Sequence, residues 1–356
     1  MKKFLLKSIT AIVMLTLLVI TTICPTMATA NQDTSPKTLL ALGDSLTTGY
    51  GLDQYTYGGD PYLCDSYINR IAAAMGLEGG KSYINRAVNG DTSGDLARLI
   101  PTLENEVKDA ELIIITIGGN DLLGMLPSIA QRLSGKPVTN FVQAVQIFSG
   151  VSAEKYEALK NDPAFVAQMQ TVLEDLTANL QTIASFISEK SPDARVIFLK
   201  QYNPINHVPR FEAFGDFSGE FLHSMNEILE SVATSFGYET VDIPSVIDER
   251  AMMLTNILSY DIHPNALGHL EIAKVVAEHL GLSLDLPEET ENATDATAEA
   301  RTEAPNSPQE TQKEESPTAV GETDSSTERK GCAASAGPLS GLLLSLCAAF
   351  AVKKRR

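Results

Sequence analysis

Cysteine is scarce in this chain, with four residues in 356. Cys24 falls in an N-terminal apolar run, Cys332 and Cys347 fall near the C-terminus, and only Cys64 belongs to the body between them. A single body thiol excludes a disulfide framework. No Cys-x-x-Cys pair or His/Cys cluster at ligand spacing occurs, so zinc-site patterns are excluded, and no metal or organic cofactor is expected. Basic residues are also short, 27 against 45 acidic, for a net charge of −18. That balance offers no footprint for nucleic acid. There is no internal repeat.

The two ends are not built like the middle. Lys2, Lys3 and Lys7 precede a mostly apolar run from Ala11 to Ile23, and Ala28-Thr29-Ala30 is a small-residue cleavage site. A secretory signal peptide over 1–30, cut after Ala30, is expected. Cys24 does not make it a lipoprotein leader, because Thr21-Thr22-Ile23 lacks the small residue wanted before a lipidated cysteine. At the other end, Pro338 to Val352 is apolar and small, and Lys353-Lys354-Arg355-Arg356 closes the chain. Counted from Cys332, this stretch has about the 20 residues that cross a bilayer. The basic terminus would stay in the cytoplasm. Residues 331–356 are therefore expected to be a transmembrane anchor holding an exported domain at the cell surface. A sorting tail removed by processing is the alternative, and would leave the domain extracellular. Leu286-Pro287-Glu288-Glu289-Thr290 departs from a sortase motif at Glu289 and lies far from the tail. Residues 283–330 are rich in Glu, Thr, Ser, Ala and Pro, and hold about half of the acidic excess. They read as a disordered, extended linker. The body, 31–282, has about 250 residues, enough for one substantial core.

Within the body, five β-rich runs alternate with helical stretches: Thr38–Leu42, Ser82–Val88, Leu112–Ile117, Arg195–Gln201 and Glu239–Ile243. Their near-continuous apolar character, clearest in Leu112-Ile113-Ile114-Ile115, suits strands covered on both faces. Val172, Leu173, Leu176, Leu180, Ile183 and Ile187 form one helical stripe. Phe221, Leu222, Met225, Ile228, Leu229 and Val232 form a second, with Gly237 placed to stop it. A last helix runs from a cap at Asn265 to Leu280, before Gly281. The alternation predicts an α/β fold with a five-stranded parallel sheet between two helical layers. Leu122 to Pro163 has no strand. It is either an insertion over the functional edge of the sheet or a set of ordinary crossover helices.

Sites in open parallel sheets form beyond the carboxyl ends of the strands. Gly43-Asp44-Ser45-Leu46 follows the first strand, Asn89-Gly90-Asp91 the second and Gly118-Gly119-Asn120-Asp121 the third, so all three fall on one rim. Ser45 can act as a nucleophile if a base takes its proton. Of the five histidines, His207 lies in a loop and His223, His269 and His279 lie in helical stretches. Only His263 stands in a short polar loop before a capped helix, in Asp261-Ile262-His263-Pro264-Asn265, with Pro264 restricting its backbone. The N–H groups of Ser45 and Gly90 and the side-chain amide of Asn120 can receive an oxyanion. Asp44 and Asp121 are suited to holding their loops through hydrogen bonds to backbone. Tyr50, Tyr55 and Tyr57 either line the entrance or anchor the loop. Together these segments point to an ester hydrolase.

Gly43-Asp44-Ser45-Leu46, Gly90, Gly119-Asn120-Asp121 and His263-Pro264, in this order, resemble the four blocks of the SGNH (GDSL-type) hydrolases. The resemblance spans roughly Thr38 to Leu280. It implies a flavodoxin-like three-layer α/β/α fold and esterase, lipase or acylhydrolase activity on a small-molecule, lipid or carbohydrate ester. By the matching blocks Ser45 is the nucleophile, His263 the base, and Ser45, Gly90 and Asn120 the oxyanion hole. The family usually carries an aspartate three residues before the histidine; here that position is Tyr260, and the aspartate is Asp261. Either Asp261 reaches the imidazole through an altered turn or a backbone carbonyl orients His263. Two other functions fit the same residues. One is a carbohydrate or cell-wall acetyl esterase, and the other a non-catalytic surface binding protein.

Overall fold

Strand formation follows the apolar runs. In a computed structural model that describes residues 36–138 and 141–285, the sheet holds β1 (Leu39–Gly43), β2 (Tyr83–Asn85), β3 (Leu112–Thr116), β4 (Arg195–Leu199) and β5 (Glu239–Val241). All pairs are parallel, in the order β2-β1-β3-β4-β5. This is the flavodoxin-like doubly wound order. The chain leaves β1 toward one edge and returns to β3 on the other side of β1. Gly43 pairs with Thr116 in the register, so the loops that follow β1 and β3 start side by side.

Alternation within each strand feeds two cores. Leu40, Leu42, Ile113, Ile115, Val196 and Phe198 face the helices Ser93–Leu99, Glu104–Asp109, Pro163–Lys190 and Glu212–Ser235. Leu39, Ala41, Leu112, Ile114, Ile197 and Leu199 face Tyr67–Ala74 and Ala266–Leu280. Every residue of β1 and β3 is buried, and each buried Leu or Ile is worth about 1.5–3 kcal/mol. Both faces being covered explains why these strands read as continuous apolar runs rather than as alternating ones.

A third core lies beyond the sheet. The Pro163–Lys190 helix has 28 residues and is about 42 Å long, whereas a five-residue strand such as β4 covers only about 17 Å. Its C-terminal half packs on the sheet through Leu180, Ile183 and Ile187. Its N-terminal half overhangs, carrying Phe165 and Met169. The Glu212–Ser235 helix divides likewise: Met225 and Leu229 on the sheet, Phe214 and Phe217 beyond it. Helices Leu126–Ser134, Phe141–Phe148 and Ala153–Lys160 close over this overhang with Ile129, Phe148 and Tyr156. Residues 122–163 are thus an insertion at the functional end of the sheet.

From Lys37 the described chain forms one compact unit. Leu284, inside the segment read as linker, still packs against the core. The expected leader over 1–30, the rest of the linker from 286 and the apolar tail 331–356 lie outside the described residues. No helix among the described residues is long and apolar enough to cross a membrane.

Candidate active site

The turn after β1 can take only glycine at its first position. Gly43 has φ 126°, and a Cβ there would sit 1.9 Å from the Thr116 carbonyl oxygen. That close approach lets the Asp44 N–H donate to the Thr116 carbonyl at 3.0 Å. Asp44 then caps the short helix Ser45–Thr48, its Oδ1 accepting the Leu46 N–H at 3.1 Å. The same oxygen accepts the Thr116 hydroxyl at 3.1 Å; the Thr116 hydroxyl lies 2.7 Å from that of Thr47, which lies 2.7 Å from that of Tyr67. With Thr116 donating to the carboxylate, the hydroxyls run in one direction, from Tyr67 through Thr47 and Thr116 to Asp44. Burial pushes the Asp44 carboxyl up to about 6, against the opposing pull of these hydrogen bonds. Asp44 therefore fixes the turn that presents Ser45.

The loop after the Ile257–Ser259 turn supplies the imidazole. His263 Nε2 lies 2.8 Å from Ser45 Oγ, and His263 Nδ1 lies 2.5 Å from Asp261 Oδ1. That oxygen also accepts the backbone N–H of His263 at 3.1 Å, an Asx turn across two residues. Tyr260 makes the turn possible by adopting a left-handed backbone, φ 60°. The loop closes through Asp261 N–H to the Asn256 carbonyl at 3.2 Å and Asn256 N–H to the His263 carbonyl at 2.9 Å. The aspartate two residues ahead of the histidine thus contacts the ring. A carboxylate acceptor at Nδ1 assigns the proton there and leaves the Nε2 lone pair toward Ser45. An imidazole at that distance can take a hydroxyl proton.

The loop after β3 supplies Asn120 to the pocket, and the loop after β2 holds it. Asn120 Nδ2 donates to the Asp91 carbonyl at 2.9 Å, using one of its two N–H groups. Gly90, at φ 78°, precedes Asp91 in a turn closed by Asp91 N–H to the Val88 carbonyl at 3.2 Å. No hydrogen bond within the described residues takes the N–H of Ser45 or Gly90. Asp121 accepts the N–H and hydroxyl of Ser93 at 2.8 and 2.6 Å, tying the two loops, and burial raises its carboxyl. Ser45, Asn120 and His263 line one pocket; Gly90 is not among its lining residues.

That pocket has a volume of about 540 Å³. It runs from Ser45 into the third core, where Leu123, Ile129, Phe148, Met169, Phe214 and Phe217 line it. None of Tyr50, Tyr55 or Tyr57 does. The Tyr50 ring instead rests 4.6 Å from that of His263, with Tyr55 behind it at 5.1 Å. Tyr55 is further held by Asn89. These two tyrosines support the histidine loop, while Tyr57 is exposed.

Several supporting residues escaped the sequence reading. Tyr202 donates its hydroxyl to the Ile262 carbonyl at 2.8 Å, and Asn256 Nδ2 donates to the Gly51 carbonyl at 3.1 Å. Neither sits in a motif, and both contacts span distant segments. His269 is fully buried beneath the site, its Nδ1 accepting the Tyr67 N–H at 3.2 Å. Burial first, then His263 and Arg70, push it down to about 3. An unfolded histidine takes a proton below about 6.5 that the folded chain refuses, so this residue's contribution is present above 6.5 and is lost as pH falls. Between pH 7 and pH 5 the wild type should lose about 2 kcal/mol more stability than His269→Gln in urea titrations. Parallel losses in the two proteins would contradict a buried neutral imidazole.

The chain is similar to known proteins. An esterase from Pseudomonas aeruginosa, TesA, is 35% identical over 112 residues, 31% of this chain and 50% of that protein. The chain therefore spans half the length of that relative. A spore germination lipase from Bacillus licheniformis, LipC, is 25% identical over 232 residues, covering 64% of this chain and 89% of its own. Among solved structures, an extracellular lipase from Streptomyces rimosus matches 68% of this chain and 99% of its own with TM-score 0.45 and 18% identity. The sequence model of the GDSL-like Lipase/Acylhydrolase family matches residues 41–270. With nearly two-thirds of its length inside that match, the chain belongs to the GDSL-like lipase/acylhydrolase family.

Proposed function

We propose that this protein is a serine carboxylester hydrolase that works through an acyl-Ser45 intermediate and favours apolar acyl chains. One observation carries the reading: a hydroxyl and an imidazole 2.8 Å apart at the head of an apolar pocket of about 540 Å³. His263 takes the Ser45 proton as Oγ attacks the ester carbonyl, and Asp261 stabilises the imidazolium that forms. The N–H groups of Ser45 and Gly90 and the free N–H of Asn120 receive the oxyanion. His263 then protonates the leaving alcohol. Water, deprotonated by the same imidazole, releases the acid. The named activities of the two relatives, an esterase and a lipase, support the reaction class.

Pocket shape favours longer acyl groups over acetyl. A single methyl would leave most of the apolar lining unfilled, and each added methylene is worth about 0.8 kcal/mol when buried. From butyrate to octanoate p-nitrophenyl esters, kcat/KM should rise by up to about fourfold per carbon. A decline from acetate upward would sink the acyl-chain preference. An alkyl fluorophosphonate should add its mass to the peptide containing Ser45. Labelling at another residue, or none in a folded and active enzyme, would remove Ser45 from the mechanism.

A further inference from the structure

The Ser45 pocket reaches the two long helices at Met169 and Phe221. Both residues also border a second cavity, of about 450 Å³, set between the helices Pro163–Lys190 and Glu212–Ser235. Among the described residues no others line both spaces. Two side chains therefore stand between the room beside the nucleophile and the room between the helices.

The two differ in how firmly they are held. The Phe221 ring meets the ring of Phe217 edge-on at 5.0 Å and that of Phe165 at 5.9 Å, one from each long helix. Met169 is buried, but its side chain is unbranched and turns about three bonds, so it can yield to a ligand where a clamped ring cannot. Beyond it the second cavity is lined by Phe165, Val166, Leu173 and Ile228. Val166 is 46% exposed there, an apolar surface open to solvent. Lys160 brings no unpaired cation, because Glu157 and Glu220 meet it at 2.5 and 2.6 Å. Farther along the same helices the furrow turns polar: Thr177 and Ile228 hand over to Gln181, Ser224, Glu227 and Ser231. The apolar stretch is thus confined to the part that adjoins Met169. An occupant suited to this arrangement is thin, apolar and delivered from the Ser45 side.

We propose that the cavity between the long helices is a distal acyl subsite, entered past Met169, which receives the end of an acyl chain too long for the Ser45 pocket. This rests on the acyl-Ser45 reading above and extends it to long-chain esters. The ester carbonyl stays at Ser45, the middle of the chain fills the pocket, and the last methylenes cover Val166 and Leu173.

Two alkyl fluorophosphonates, octyl and hexadecyl, each with a diazirine at the chain end, report where the end lies. After labelling of the wild type and irradiation, the octyl probe should crosslink to residues of the Ser45 pocket alone, such as Phe148 or Phe214. The hexadecyl probe should crosslink to Val166, Leu173 or Ile228. A second measurement fills the cavity from its solvent side. Val166 lies outside the Ser45 pocket, and its exposure lets Val166→Trp fold. This variant should cleave p-nitrophenyl octanoate as wild type does, and lose about tenfold in kcat/KM on the hexadecanoate in the same mixed micelles, the effect of displacing two buried methylenes. The proposal is overturned if the hexadecyl chain end marks only residues of the Ser45 pocket, if that probe fails to label Ser45 while the octyl probe succeeds, or if Val166→Trp treats the two esters alike. Failure of both probes to label Ser45 would instead overturn the hydrolase reading beneath it.

Discussion

Ser45→Ala should lower kcat on a soluble ester by at least about 10⁴-fold, and adding His263→Ala should cost little more. The two groups act as one device. The hydroxyl is a weak nucleophile until the imidazole 2.8 Å away takes its proton, and the imidazole has nothing to deprotonate once the hydroxyl is gone. Losses should therefore be far from additive. Turnover remaining in the double variant would come from the oxyanion donors acting on an attacking water. Folding should survive, because the short helix is capped by Asp44 rather than by Ser45. The Asp261 carboxylate left behind in His263→Ala retains the His263 backbone N–H as a donor. Equal kcat for wild type and Ser45→Ala, at matched melting temperature, would end the assignment of Ser45. Multiplying losses would mean that serine and histidine act in separate steps.

The parts of this molecule legible in its sequence are those determined by neighbours along the chain. Leu112-Ile113-Ile114-Ile115 can be read as a strand because burial on both faces leaves an unbroken apolar run. The Asn265 cap and Gly281 stop bound the last helix locally. Ser45, Asn120 and His263 are legible because each follows or precedes an element whose end the topology places on one rim. What could not be read depends on contacts between distant segments. The pocket exists because two long helices overhang the sheet and three short ones close over them, and the sequence of 122–163 carries no mark of that partner. The contact between Asp261 and the imidazole depends on the backbone of Tyr260, a residue type that rarely adopts φ 60°. The sequence leaves Tyr50 as either an entrance residue or an anchor, and only the ring of His263 beside it decides for the anchor.

Asp261→Asn should lower kcat by about 10²-fold, and Asp261→Ala by about 10³- to 10⁴-fold. The difference comes from one oxygen. In catalytic triads an asparagine at this place can present its NH₂ to the imidazole, impose the wrong tautomer and remove most activity. Here Asp261 Oδ1 accepts both the His263 N–H and Nδ1. The backbone N–H would hold the asparagine oxygen in that position, so the amide would still present an acceptor to the ring. Orientation and tautomer then survive, and what is lost is the negative charge beside the imidazolium in the transition state. Alanine removes the acceptor as well, and with it the Asx turn that positions the loop. The step from aspartate to asparagine therefore measures charge, and the step from asparagine to alanine measures orientation. Equal losses in the two variants would mean that asparagine no longer holds the ring. Unchanged turnover in both would leave Ser45 and His263 working as a pair, with the imidazole oriented by the packing of Tyr50 and the closed loop from Asn256 to His263 rather than by any carboxylate.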